Sequence, residues 1–338
     1  MKKKTGDTLK ILLFVALGIG LAWLSLRNVP TETLLENFRA VDPFWIGLAL
    51  SVAVLSHLIR ALRWNMLLQP AGYRIKPLNA FMAVMSAYFI NLALPRTGEI
   101  ARCGLVSRYD KVPMNVGIGT VVAERVVDML LLLLLFGLNF LVGYEKLRTY
   151  ITENILQPLT DKFSPLFLVT AGGVAMLVCI AVFIYFKRSR KPRETDKKGL
   201  VEGFLEGLRS VLAVKAPFRF VLSSLGIWAC YYLMLYIGFQ AHPATRELGW
   251  DACLSVFVFG TIGMLVTPGG IGAYPALVGQ TLTLYGVDEA AGISFGWIIW
   301  GAQTVLFIIA GPLSLIGFPM FNTQKTTSHA QGTVDSEN

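Results

Sequence analysis

Residues 124–136 read ERVVDMLLLLLLF, with three charged residues at the start of an apolar run that is long enough to cross a lipid bilayer. A charge at membrane depth costs about 2.5–3.5 kcal/mol on insertion scales unless it is paired or reaches water. Glu124, Arg125 and Asp128 therefore predict a polar site inside a bundle of membrane helices. Such a site would handle a charged or amphiphilic substrate.

The composition extends this prediction to the whole chain. Of 338 residues, 54% are hydrophobic and 15% are charged, whereas soluble domains contain about 45–50% apolar and about 25% charged residues. We therefore expect an all-α, polytopic transmembrane helix bundle of about six to eight spans. The net charge of +9 resides in basic clusters beside apolar runs. Anionic lipid headgroups and the positive-inside rule explain such clusters, so no nucleic-acid partner is predicted.

Cysteine and histidine patterns give no sign of a metal site or a disulfide framework. The chain contains 4 cysteines and 3 histidines, none of them in a pair with ligand spacing. We predict no cofactor, no metal and no catalytic residue, and the chain is not expected to be an enzyme. The cysteines instead read as small buried apolar residues, at Cys103, Cys179, Cys230 and Cys253.

The N-terminal segment favours a cytoplasmic start. Residues 2–4 are lysines, and an apolar run at 11–26 follows. A cleaved signal peptide is the alternative, but the residues after position 26 do not form a small-residue cleavage site. The basic residues at 187–198 mark the same side again. Both termini are therefore expected in the cytoplasm.

Two apolar stretches are interrupted where a plain span would continue. Residues 78–94 stop at Pro95 with basic flanks on both sides, and residues 254–266 stop at a glycine-rich turn before the short run 276–285. Each pattern predicts a broken, re-entrant hairpin, although two ordinary paired spans remain the alternative. The order of span, hairpin and span then recurs in residues 44–144 and 217–321, which predicts an inverted repeat.

The domain prediction follows from this order. Residues 1–321 form one transmembrane domain, with a basic linker and an amphipathic helix at 187–216 between its halves. Residues 322–338 form a polar C-terminal tail. Oligomeric state is not predicted.

Residues 91–102 contain the first set of candidate substrate-binding side chains: Asn91, Arg96, Glu99 and Arg102. If a helix begins after Pro95, Glu99 and Arg102 share a face. Arginine suits phosphate because its planar group donates two parallel hydrogen bonds. We expect Glu99 to hold one arginine in place and leave another for a substrate phosphate.

The acidic pair Glu124 and Asp128 lies one helical turn apart and would repel unless a cation, a proton or arginine bridges it. We predict an interhelical network that joins this pair to Arg96 and Arg102. The network could be purely structural or could line a substrate path. Further along, Gly269, Gly270 and Gly272 could let the backbone contact a ligand, or could form a simple tight turn.

The early motif RALRW at 60–64 reads as a basic and aromatic helix end in the headgroup layer, after a span at 44–59. Arg60, Arg63 and Trp64 are therefore predicted to contact lipid headgroups. Trp297, Trp300 and Gln303 on the last span are interpreted as packing and interface residues.

Four segments together resemble a known family. NLALPRTGEIAR at 91–102, ERVVD at 124–128, TPGGIG at 267–272 and RALRW at 60–64 resemble the signature segments of the lysylphosphatidylglycerol synthase transmembrane family, also called the flippase-like or UPF0104 family. The resemblance covers about residues 10–320. It implies a bundle in the bacterial inner membrane that moves lipids between leaflets.

In two-domain members of that family, the transmembrane region flips aminoacylated phosphatidylglycerol made by a soluble C-terminal synthase domain. Only a short polar tail follows Phe321 here, so the resemblance implies no aminoacyl transfer. Matching members often carry an acidic residue just after the glycine-rich turn, where this chain has Ala273, Tyr274 and Pro275. A coupling role for such an acid is not expected.

We therefore expect a lipid transporter or flippase. Its partner would be an anionic or aminoacylated phospholipid, or another lipid-linked substrate such as a polyprenyl-linked lipid. Two alternatives stay open. One is a membrane-embedded enzyme that modifies lipid headgroups with Glu124 and Asp128 as acid and base. The other is a non-transporting membrane scaffold that uses residues 187–212.

Overall fold

The computed structural model describes residues 20–27, 29–94, 97–143, 210 and 213–322. Those ranges contain helices and no strand, which confirms the all-α prediction. Four helices are long and apolar enough to cross a membrane: Pro43–Ala71, Met114–Val142, Pro217–Phe239 and Glu289–Asn322. The protein is thus a multi-pass membrane helix bundle.

Nine helices within the described ranges position the site, and a helical stretch at residues 20–26 precedes them. They are α1 Thr31–Arg39, α2 Pro43–Leu68, α3 Pro77–Ala93, α4 Gly98–Asp110, α5 Met114–Val142, α6 Pro217–Phe239, α7 Trp250–Val266, α8 Ala273–Thr283 and α9 Glu289–Asn322. Helices α2, α3 and α6 each begin with proline. Proline suits the first helical position because its fixed φ fits and its missing N–H would have no partner there.

Helices α3 and α4 form the first hairpin. They contain 17 and 13 residues, or about 25 and about 20 Å at 1.5 Å per residue, which is short of the bilayer's apolar core of about 30 Å. Near the start of α3, the Asn79 side-chain amide donates to both carboxylate oxygens of Asp110 at the end of α4, at 3.0 and 2.9 Å. The hairpin therefore returns to the side on which it begins, as predicted.

Helices α7 and α8 form the second hairpin, with 17 and 11 residues. The Ser255 hydroxyl near the start of α7 lies 2.7 Å from the Tyr285 hydroxyl just beyond α8. Close to the tip, a Cβ on Gly263 would lie 2.8 Å from the Cα of Tyr274. The two helices therefore run antiparallel, and this hairpin also returns to its own side.

The two hairpins enter the bundle from opposite sides. Helices α2 and α6 are antiparallel neighbours, because the Asp42 amide donates to the Ala241 carbonyl at 2.9 Å and an Arg63 nitrogen donates to the Ser224 hydroxyl at 3.1 Å. The first hairpin follows the end of α2, and the second follows the end of α6. We call these two sides the Asn322 side and the Asp42 side, respectively.

The resulting topology is that of an inverted repeat. Helix α2, the first hairpin and α5 have their counterparts in α6, the second hairpin and α9, which run in the opposite direction. The hairpin tips meet inside the bundle, where a Cβ on Gly269 would lie 3.7 Å from the Leu92 Cδ2 atom. This arrangement places the two interruptions between helices side by side. Interrupted helices are tolerated at membrane depth only where protein or water surrounds them.

One predicted boundary was wrong. Helix α2 does not end at residue 59 but continues to Leu68, because Arg60 and Arg63 are neutralised within the bundle and do not need the headgroup layer. Several other predictions lie outside the described residues. They are the greater part of the apolar run at 11–26, most of the basic linker and amphipathic helix at 187–216, and the tail after 322.

Gly98 provides a test of the first hairpin. Its amide donates to the Asn91 side-chain oxygen at 2.8 Å, and a Cβ there would overlap the carbonyl oxygen of Ala87 on α3. We expect Gly98→Ala to destabilise the protein by about 1–3 kcal/mol through overpacking. Thermal unfolding in detergent measures the expected fall in melting temperature.

Gly104→Ala is the matched control, because a Cβ on Gly104 would meet nothing within 4 Å and alanine favours helix formation. It should leave the melting temperature unchanged or raise it. Equal melting temperatures for the two variants would contradict the close approach of α3 and α4.

Candidate substrate site at a buried ion-pair network

Helix α5 contributes the two central acceptors of the site. Glu124 is fully buried and Asp128 is buried as well. One helical turn separates them, so both carboxylates project from the same face of α5. Two carboxylates in this position require cations close by.

Helix α2 supplies two of those cations. An Arg60 nitrogen donates to a Glu124 oxygen and to Asp128 Oδ2, the latter at 3.0 Å. Arg63 Nη2 donates to Asp128 Oδ1 at 2.8 Å and lies 3.3 Å from Glu124 Oε1. Each arginine therefore bridges both carboxylates, which removes the repulsion that the sequence predicted between them.

Helix α4 supplies a third cation, Arg102, from the first hairpin. Its Nη2 atom donates to Glu124 Oε2 at 2.9 Å. Its guanidinium carbon lies 4.6 Å from the centroid of the Trp64 ring, a favourable cation–π arrangement. Trp64 is held in turn, since its Nε1 donates to Thr120 Oγ1 at 3.0 Å.

A second ion pair lies at the edge of this network. Arg125 Nη2 contacts Glu99 Oε1 at 3.2 Å, and Arg125 Nη1 lies 3.8 Å from Asp128 Oδ2. The Asn91 side-chain amide also donates to Glu99, at 3.4 Å. The Arg125 side chain is 45% exposed and that of Glu99 is 27% exposed, so this edge lies at the outer surface between α4 and α5.

The surface around this edge is apolar. Ile100 on α4 and Val126 and Met129 on α5 are all exposed, as expected for residues that face lipid. The charged edge thus interrupts a lipid-facing surface and connects it to the buried arginines and carboxylates. We call the full set, whose members are Arg60, Arg63, Glu99, Arg102, Glu124, Arg125 and Asp128, the ion-pair network.

The network has an excess of positive charge. Within the described residues it combines four arginines with three carboxylates, which leaves one net positive charge. An uncompensated charge is costly away from water. An anionic group with access to the network would therefore be attracted to it, and the planar arginine side chain is well suited to phosphate.

The depth of the network follows from helix geometry. Glu124 lies about 15 Å along α5 from Met114, and Arg102 about 12 Å along α4 from Asp110, at about 1.5 Å per residue. Both distances start from the Asn322 side. The network therefore lies well inside the bundle from that side, close to the tip of the first hairpin.

The glycine-rich turn lies at the facing tip. Gly269, Gly270 and Gly272 have φ values of 62°, 75° and 72°, a region that residues with a Cβ rarely adopt. The indole nitrogen of Trp300 on α9 donates to the Gly269 carbonyl at 2.7 Å. The turn is therefore a fixed, unwound segment that rests on the last span.

The structure contains part of the predicted network. Arg102 contacts Glu124 as expected, whereas Arg96 lies outside the described residues. Glu99 pairs with Arg125, while Arg102 of the same segment as Glu99 pairs with Glu124. The substrate-binding role of these residues and of the three glycines stays a prediction.

The prediction that the RALRW motif contacts lipid headgroups was wrong. Arg60, Arg63 and Trp64 are buried and face α5 and the first hairpin, because their charges and the indole N–H find partners there. The spacing of these residues could have indicated the pairing, because Arg60 and Arg63 share one helix face, as Glu124 and Asp128 do. Trp300, interpreted as a packing residue, also has the specific partner Gly269.

Among the residues that the structure describes, no group of three histidine, cysteine, aspartate or glutamate side chains is placed to hold a metal ion. The site is therefore described by its arginines and carboxylates alone.

Comparisons with known proteins cover most of the chain. Residues 11–311 match the family described as the lysylphosphatidylglycerol synthase TM region. The chain is 23% identical over 342 aligned residues to the glycosyltransferase AglD of Haloferax volcanii, with 92% of this chain and 54% of that protein covered. It is 31% identical over 106 residues to a UPF0104 membrane protein of Methanocaldococcus jannaschii, with 30% of this chain and 31% of that protein covered. The chain thus spans about half of the first relative and less than a third of the second.

Glu124 should be the member of the network that the fold tolerates losing least. Glu124→Gln would leave Arg60 and Arg63 with Asp128 as their carboxylate partner and would take from Arg102 the carboxylate that it contacts. Removing one partner of a buried pair costs about 3–5 kcal/mol. Equilibrium unfolding in mixed micelles of detergent and dodecyl sulfate measures the free energy of unfolding of each variant.

Glu99→Gln serves as the control, because partly exposed pairs are worth about 0–1 kcal/mol. It makes the same chemical change on a residue of the same network. If both variants lose the same small amount of stability, the claim that Glu124 is the central carboxylate of the network is wrong.

Proposed function

Because this chain belongs to the lysylphosphatidylglycerol synthase transmembrane-region family, we propose that it moves a phosphate-bearing lipid between the two leaflets of a membrane. The observation that carries the proposal is an ion-pair network with one net positive charge that is buried in the bundle and reaches the lipid-facing surface at Arg125. The substrate would be a phospholipid, an aminoacylated phospholipid or a polyprenyl-linked lipid.

The charge balance supports a phosphate group as the ligand. A phosphodiester carries one negative charge, which equals the excess of the described network. Arg125 is its most exposed arginine, and its guanidinium can donate two parallel hydrogen bonds to phosphate oxygens. The headgroup would enter sideways from the bilayer, between α4 and α5, without leaving the membrane.

The partner of Arg125 supports a headgroup that also carries an amine. Glu99 holds Arg125 from one side and accepts a hydrogen bond from Asn91. When phosphate binds Arg125, a headgroup ammonium could take the place of the guanidinium on Glu99. An amino- or aminoacyl-phospholipid would therefore satisfy both members of the pair.

The hairpins support movement across the membrane in addition to binding. They enter from opposite sides, and their tips meet at Leu92 and Gly269. Broken helices at the midplane place polar backbone groups where an intact span would offer apolar side chains. A headgroup that leaves the ion-pair network would next meet the glycine-rich turn, which we propose as the second contact on its path.

Headgroup chemistry is the second candidate, because AglD is named a glycosyltransferase and Glu124 and Asp128 form a carboxylate pair. However, three arginines donate to Glu124 or Asp128 in the buried part of the network. Hydrogen bonds from cations stabilise the charged form of a carboxylate and make it a weak base. This pairing favours transport over acid–base catalysis.

We also propose an orientation in which the Asn322 side faces the cytoplasm and both termini lie there, in the inner membrane of a bacterium. Arg74 and Lys76 lie between α2 and α3, and Lys111 lies between α4 and α5, all on that side. Loops rich in basic residues stay cytoplasmic. The loops of the Asp42 side carry mixed charge.

Arg125→Gln should abolish most lipid transport while the protein stays folded. The substitution removes the exposed cation that would receive the phosphate, and we expect the rate to fall at least about tenfold, which corresponds to about 1.4 kcal/mol. Arg125→Lys should retain an intermediate rate, since it keeps the charge but loses the two parallel donors. Transfer of a fluorescent phospholipid between the leaflets of proteoliposomes measures the rate.

Arg108→Gln is the control, because Arg108 is an exposed residue on α4 outside the network. It makes the same charge change near the same surface and should transport at the wild-type rate. Normal transport by Arg125→Gln would show that the headgroup does not use this edge.

Single cysteines test the orientation. Lys215 and Glu247 are exposed on the Asn322 side and the Asp42 side, respectively. With the native cysteines replaced by serine, Glu247→Cys should react with a membrane-impermeant maleimide in intact cells. Lys215→Cys should react only after the cells are opened, and the reverse pattern would contradict the proposed orientation.

A further inference from the structure

A partly buried polar contact joins the first hairpin to the last span of the opposite half. The Asn79 side chain is buried and donates to both Asp110 oxygens within its hairpin. It also exchanges hydrogen bonds with Asn322 at the end of α9, at 3.0 and 3.2 Å. We call these three residues the Asn79 latch, which lies on the Asn322 side.

The second hairpin has an equivalent contact on the Asp42 side. Ser255 is buried; its hydroxyl donates to Asn139 Oδ1 near the end of α5 at 2.8 Å and lies 2.7 Å from the Tyr285 hydroxyl at the end of its own hairpin. We call these three residues the Ser255 latch.

The inverted repeat relates the two latches. In each, a polar residue near the start of a hairpin contacts a residue at the end of the same hairpin. The same residue also contacts a residue close to the end of the terminal span of the other half, which is α9 for the first hairpin and α5 for the second. The hydrogen bonds that join each hairpin to the other half, Asn79–Asn322 and Ser255–Asn139, link neutral groups and are much weaker than a buried ion pair. They can therefore break while the ion-pair network stays formed.

Each hairpin carries part of the proposed lipid pathway, so the loss of its latch would affect that part. The first hairpin carries Glu99 and Arg102 of the ion-pair network, so its movement away from α9 would open the network to the Asn322 side. The second hairpin packs on α5 and carries the glycine-rich turn, so its movement would open the tips to the Asp42 side. In this structure both latches are formed.

We propose that the Asn79 latch and the Ser255 latch are the two gates of the lipid pathway and open one at a time. The inference rests on the proposed transport function, because a gate implies a passage. Its test does not need transport, since the movement of each hairpin can be measured directly.

Each hairpin contains a natural reporter. Cys103 on α4 is 1% exposed and Cys253 on α7 is 0% exposed. A buried thiol reacts with a maleimide only when its surroundings open. Two proteins that retain Cys103 alone or Cys253 alone, with serine at the other cysteine positions, therefore report on the two hairpins separately.

The experiment measures labelling rates of both reporters with a membrane-permeant maleimide in nanodiscs. Asn79→Ala should raise the rate at Cys103 at least about fivefold, because the loss of a single hydrogen bond already changes an opening equilibrium by about that factor, and leave Cys253 unchanged. Ser255→Ala should do the reverse. Ser223→Ala, which removes a hydroxyl that donates to the Phe220 carbonyl within α6, should change neither.

Two outcomes would overturn the inference. Equal acceleration of both cysteines by either variant would mean that the contacts hold the whole bundle together. Unchanged rates in both variants would mean that the hairpins do not move at these contacts. If each variant accelerates only its own cysteine but no lipid is transported, the two contacts are gates and the proposed lipid transport is wrong. If lipid is transported without this selective acceleration, the proposed function is supported and the proposal of two gates is wrong.

Discussion

The bridging of Glu124 and Asp128 by arginines from two other elements determines how this bundle is assembled. Helix α5 could not place two carboxylates inside a membrane protein unless α2 and the first hairpin brought cations to the same point. Arg60, Arg63 and Arg102 meet that requirement. Three separate parts of the chain are thus fixed relative to one another by one set of charges.

Stability alone does not explain this arrangement. Well-packed apolar residues often hold helices together as well as a buried ion pair does, or better. What apolar packing cannot supply is a net positive charge that reaches the lipid-facing surface beside exposed Val126 and Met129. We therefore propose the network as a site for an anionic headgroup, and the inverted hairpins, whose tips meet at Leu92 and Gly269, as its way past the midplane.

Much of this architecture could be predicted from the sequence. The breaks at Pro95 and at the glycine-rich turn predicted both hairpins, since proline and glycine interrupt helices wherever they occur. The charges at 124–128 predicted a buried network because their cost is local and known. The partners were harder, because Arg60 and Arg63 have an ordinary explanation as a basic helix end, and only the packing of α2 against α5 distinguishes the two. Trp300 was missed for a related reason: an indole on an apolar helix gives no sign of its partner.

The most direct test of the central claim is a structure of the protein determined in nanodiscs that contain an anionic phospholipid. We predict a lipid phosphate within hydrogen-bond distance of Arg125, with its acyl chains in the bilayer beside α4 and α5. Lipids that surround the bundle only through their acyl chains, with Glu99 still paired to Arg125 and no phosphate at the network, would contradict the claim and would leave the ion pairs a purely structural role.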